Sequence, residues 1–81
     1  PKKLWIRFST MEAYEAGIED LLRDISESEG NDSVVLYIED KKQMKKLPPG
    51  RNVNADEALY DALCKKYGKD NIKIAWDVKK D

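Results

Sequence analysis

The sequence predicts a two-layer α+β domain of element order β-α-β-β-α-β, with two helices on one face of a four-stranded sheet. Two patterns carry that expectation. Apolar residues recur at helical spacing from Tyr14 to Ile25 and from Leu59 to Leu63, and they follow strand patterns around Trp5, Leu36 and Ile74. Turn residues separate these segments at Gly30-Asn31-Asp32, Asp40-Lys41-Lys42, Pro48-Pro49-Gly50 and Gly68.

In the first strand, Leu4–Phe8, alternation puts Leu4, Ile6 and Phe8 on one side and Trp5 and Arg7 on the other. Ser9, followed three residues later by Glu12, is a capping box that predicts the start of the first helix. Tyr14, Ile18, Leu21, Leu22 and Ile25 form its apolar stripe, and Gly30 is expected to stop it in a left-handed conformation. Val34–Glu39 is rich in β-branched and aromatic residues and is expected to be a central strand. Gln43–Leu47 then returns as a hairpin, its lysines suiting an exposed edge. Asn54 with Glu57 signals the second helix, whose buried stripe is Leu59, Ala62 and Leu63 and whose terminator is Gly68. Lys65 and Lys66 complement the dipole in its last turn. Asn71–Val78 alternates, with Ile72, Ile74, Trp76 and Val78 predicted to face inward. This order is the ferredoxin-like or split βαβ arrangement.

The 81 residues leave no room for a second core, so residues 1–81 are expected to form one domain. The hydrophobic share is 41% and the charged share 38%, too apolar for a disordered tail and too charged for a membrane segment. At roughly 0.05–0.15 kcal/mol per residue, such a fold is stable by about 4–12 kcal/mol. Cys64 is the single cysteine, which excludes an intrachain disulfide and suits a reducing cytoplasm. It is expected to be a half-buried helix residue rather than a reactive thiol. The net charge of −1 conceals an acidic first half, through residue 40, and a basic second half.

With no histidine and one cysteine, Cys/His zinc sites, Ser-His-Asp triads and Cys-His dyads are excluded. The glycines are too far apart for a phosphate loop or a dinucleotide turn. The adjacent carboxylates Glu19-Asp20, Glu39-Asp40 and Asp56-Glu57 each sit where a helix face, a turn or a helix start explains them. No catalytic residue, metal or cofactor is therefore expected. Leu4-Trp5-Ile6 imitates the opening of an RNA-recognition motif, but Gln43–Leu47 has neither the glycine nor the aromatics that such a fold needs on its third strand. Direct nucleic-acid binding is not expected. Trp5, Arg7, Val35 and Tyr37 share the face opposite the predicted helices and form the candidate partner surface.

Four strings taken in order carry a family likeness: Lys3–Phe8, Ser28–Val35, Met44–Pro48 and Tyr67–Lys73. They resemble the extreme C-terminal domain of the bacterial DNA polymerase III alpha subunit, in the form seen in clostridia-like Gram-positive bacteria. The likeness spans roughly residues 3–74, and the tail Asp77–Asp81 runs past it. It implies a non-catalytic assembly piece at the C-terminus of a longer replicative polymerase, following an OB domain. Its partner would be the clamp-loader tau subunit or a neighbouring polymerase domain, while polymerisation uses aspartates of a distant palm domain. No residue-level site is carried over by the resemblance. The competing classes are an ACT-like small-molecule regulatory domain, which the first strand-to-helix turn does not favour because it lacks glycines, and a divergent RRM-like nucleic-acid binder.

Overall fold

Leu4, Ile6 and Phe8 are buried, as their alternation predicts, in a first strand β1 that runs Lys2–Phe8. The computed structural model that places them describes residues 2–76. Helix α1 follows at Met11–Ser26, capped by Thr10, whose hydroxyl accepts the Ala13 N–H at 3.0 Å. The cap thus lies one residue after Ser9, because the Ser9 carbonyl is taken by the Asp40 N–H at 3.2 Å and stays with the sheet. Leu21 and Ile25 are buried, and Tyr14, Ile18 and Leu22 pack half-buried beside them. The Tyr14 ring meets Phe8 edge-on at 5.6 Å, which ties the helix start to the strand before it.

Gly30 does not end α1 in a left-handed conformation. The helix stops at Ser26 with Glu27 still right-handed, and Gly68 is the positive-φ glycine among the described residues. Gly30 is needed for close approach instead: a Cβ there would lie 2.6 Å from the Val53 carbonyl oxygen and 2.8 Å from the Asn54 Cα. Beside it Asp32 is buried, with one carboxylate oxygen accepting the Lys2 N–H at 2.7 Å and the other the Ala55 N–H at 2.8 Å. Asp32 and Val53 also exchange backbone bonds of 2.9 and 2.8 Å. One side chain thereby fastens the start of β1 to the loop that leads into the second helix.

Strands β2, Ser33–Ile38, and β3, Gln43–Lys46, form the expected hairpin through a 3₁₀ turn at Glu39–Lys41 and a left-handed Lys42. Helix α2, Glu57–Tyr67, is capped by Asp56, which accepts the Leu59 N–H at 2.9 Å. Asn54 is not the cap, because its own N–H is held by Ser28 Oγ at 2.9 Å. Leu63 is buried, with Leu59, Tyr60, Cys64 and Tyr67 half-buried around it, whereas Ala62 is exposed. The inward stripe advances through positions 59, 60, 63, 64 and 67, and position 62 lies off its edge. Asp24 joins the two helices by accepting from Lys66 Nζ at 2.8 Å and the Tyr67 hydroxyl at 2.9 Å. Gly68 ends α2 at φ 96°, a conformation that a side chain would strain.

Strand β4 spans Ile72–Trp76. Ile72 is buried and Ile74 half-buried, but Trp76 is 72% exposed rather than inward. It reaches the sheet corner beside the first turn of α2, past the cover of the helices, with Lys2 Nζ 5.3 Å from its ring centre. Val78, also expected inward, lies outside the described residues.

The architecture is the predicted βαββαβ α+β domain, with strand order β3-β2-β1-β4. β1 and β2 are parallel neighbours, and β3 and β4 pair antiparallel at the two edges. Within the ferredoxin-like element order, β1 and β2 are therefore direct neighbours and β3 lies at the edge of the sheet rather than between them. One apolar core lies between the helices and the sheet, and among the described residues the other sheet face has no helical cover. No described helix is long and apolar enough to cross a membrane.

Candidate docking surface

The alternation that buries Leu4, Ile6 and Phe8 turns Lys3, Trp5 and Arg7 to the open face of the sheet. Strand register then decides their neighbours. Trp5 stands opposite Val35 on one side and Lys73 on the other, and Val35 stands opposite Lys46. In the next row, Arg7 stands opposite Tyr37, and Tyr37 opposite Met44. Of the four sequence-predicted surface residues, Trp5, Arg7 and Tyr37 are brought together on this face, while Val35 shares it by register but is covered by its neighbours rather than exposed.

Trp5, Arg7, Tyr37, Met44, Asn71 and Lys73 line an open trough of about 540 Å³. Val35 is buried among its neighbours, while Trp5, Arg7 and Tyr37 are half-buried and Met44 is 64% exposed. Apolar surface that is partly packed and partly wet loses little ordering entropy when a partner covers it.

Arg7 is the fixed charge in the trough. Its Nε donates to Asn71 Oδ1 at 3.1 Å, and its Nη1 lies 3.6 Å from Glu39 Oε2. Asn71 is itself oriented by donating from Nδ2 to the Tyr67 carbonyl at 2.7 Å. The 3₁₀ turn Lys69–Asn71, set by Gly68, aims that amide. Lys46 and Lys73 add exposed positive charge on either side of Trp5, whereas Glu12, Glu15, Glu19 and Asp20 are exposed on α1 in the opposite layer.

Lys73 was legible from the alternation that placed Ile72 and Ile74 inward, whereas Met44 and Lys46 reach this face through the β2–β3 register. Asn71 carried no such signal, because its contact depends on a turn that brings it to a residue 64 positions earlier.

Among the described residues, no group of three or more Cys, Asp or Glu is placed to hold a metal ion. The adjacent carboxylates have local roles: Asp20 lies 3.4 Å from Arg23, Glu39 faces Arg7, and Asp56 caps α2. Compared with protein-family models, with curated proteins and with solved structures, the chain matches none.

Proposed function

We propose that this chain is a non-catalytic docking domain whose open sheet face receives a protein partner. The observation that carries the reading is the trough itself, in which Trp5, Tyr37 and Met44 surround an arginine already held by Asn71 and Glu39. Aromatic, Met and Arg side chains are the ones enriched where proteins bind one another. A backbone carbonyl arriving at Arg7 meets a donor that needs no reorganisation.

The resemblance of Lys3–Phe8, Ser28–Val35, Met44–Pro48 and Tyr67–Lys73 to the polymerase III alpha C-terminal domain supports a setting for this module. In that setting the domain serves DNA replication in the cytoplasm and contacts the clamp-loader tau subunit or a neighbouring polymerase domain. Polymerisation belongs to the parent chain and not to this domain.

Calorimetric titration of the 81-residue chain against the purified tau subunit, and separately against the adjoining polymerase domain, tests the proposal. Saturable one-to-one binding to either, with amide shifts at Trp5 and Tyr37, is the expected result. Absence of binding to both overturns it.

A further inference from the structure

We infer that the segment seated on this face is extended and acidic, with the pattern acidic-x-apolar-x-acidic laid across the strands; this rests on the docking reading above. Lys46, Val35, Trp5 and Lys73 form one row across all four strands. Three interstrand spacings of about 4.8 Å set the two lysine Cα atoms roughly 14 Å apart. An extended chain rises about 3.3–3.4 Å per residue and presents residues i, i+2 and i+4 on one side, so its ends cover roughly 13–14 Å. The central apolar side chain then enters the trough between Trp5 and Met44, and the flanking carboxylates meet Lys46 and Lys73. The apolar contact supplies most of the affinity, and the charges set register and direction.

Outside the lysine row the face is charge-balanced, with Glu39 and Asp70 against Lys3 and Arg7, and offers a nucleic-acid strand no further excess of cations. Glu39 stands beside Arg7 and Asp70 lines the trough, so a phosphate backbone crossing the sheet would meet both carboxylates. A peptide of this pattern brings its charge only to the lysine row. A second copy of the chain does not supply the segment either. It carries the pattern at Asp20, Leu22 and Asp24 and at Glu57, Leu59 and Asp61, both inside helices. There the rise of about 1.5 Å per residue separates the carboxylate positions by only about 6 Å.

The test is an NMR titration of the chain with the peptide acetyl-Gly-Glu-Ser-Leu-Ser-Glu-Gly-amide. Comparison probes carry Lys for both Glu, or Ser for Leu, and a fifteen-nucleotide oligothymidylate is titrated alongside. Saturable shifts at Trp5, Val35, Lys46 and Lys73 are expected with the acidic peptide alone, weakened roughly tenfold by Lys46→Glu with Lys73→Glu. Both lysines are exposed, and circular dichroism checks that the double variant stays folded. Equal binding of the lysine peptide, no saturable shift with the acidic one, or tighter oligothymidylate binding through the same amides would overturn the inference. If the acidic peptide fails while tau or polymerase-domain binding still depends on Trp5, the pattern falls and the docking reading stands. If binding of both proteins is indifferent to Trp5→Ala, the docking reading itself falls.

Discussion

Arg7 on β1 and Asn71 in the turn before β4 are joined by a 3.1 Å hydrogen bond across 64 residues of sequence. That bond fixes the guanidinium in the trough and links the sheet centre to the turn after α2. Asn71→Ala removes it together with the bond to the Tyr67 carbonyl, and should cost about 0.5–1.5 kcal/mol for each. Urea denaturation measures the loss. Arg7→Lys should lose the same Asn71 contact, because an ammonium lacks the planar fork that reaches Asn71 and Glu39 together.

Asp32 holds two backbone donors, and Asp32→Ala strands both. The cost should be about 1–3 kcal/mol for each, a large part of a stability of about 4–12 kcal/mol. Asp32→Asn should be intermediate, since its amide must turn an NH₂ toward one of the two N–H groups. Burial pushes the Asp32 carboxyl up, but the bonds from Lys2 and Ala55 and the Lys2 charge outweigh it and hold it below its ordinary 3.8. The unfolded chain therefore takes up this proton first as pH falls. Stability from this group is present above about pH 4 and is lost through the folded carboxyl's lower pKa. Asp32→Asn should flatten the acid limb of the stability–pH curve.

Gly30→Ala should destabilise the domain by about 1–3 kcal/mol, because the new methyl meets the Val53 carbonyl and the Asn54 backbone and not a side chain that can swing away. Thermal unfolding followed by circular dichroism checks this. The same change at Gly50, where nothing lies within 4 Å, should be close to neutral.

Burial raises the Tyr67 phenol, and so does the bond it donates to Asp24. A raised folded pKa means a contribution fully present below the unfolded value of about 10 and lost as pH rises through the folded one. Tyr67→Phe should cost about 0.5–1.5 kcal/mol at neutral pH. It should also delete the phenolate step above the ordinary tyrosine range in an alkaline absorbance titration.

Element order and the buried side of β1 were legible because they depend on periodicities of two and 3.6, which Leu4, Ile6, Leu21 and Ile25 state locally. Caps were less so. Ser9 and Thr10 are equally competent caps, and the choice fell to Thr10 through a sheet contact to Asp40 that no local pattern encodes. Asn54 lost its place to Asp56 in the same way, through Ser28. Trp76 obeys the alternation in phase but extends beyond the helical layer, so phase alone could not reveal its exposure. The docking face followed the first pattern: Trp5, Arg7, Val35 and Tyr37 came from alternation, whereas the anchoring Asn71 and the strand order came from tertiary closure.

One paired titration asks whether Trp5 faces a partner while Ile6 faces the core. Wild-type, Trp5→Ala and Ile6→Ala chains are each unfolded in urea and titrated against the tau subunit and the adjoining polymerase domain. Ile6 is fully buried, so Ile6→Ala should lose about 2–5 kcal/mol of stability. Trp5→Ala should remain folded and lose at least about 2 kcal/mol of binding, the loss that marks an interface anchor. A Trp5→Ala chain that unfolds as readily as Ile6→Ala, or one that stays folded and binds both proteins as tightly as wild type, would contradict the account.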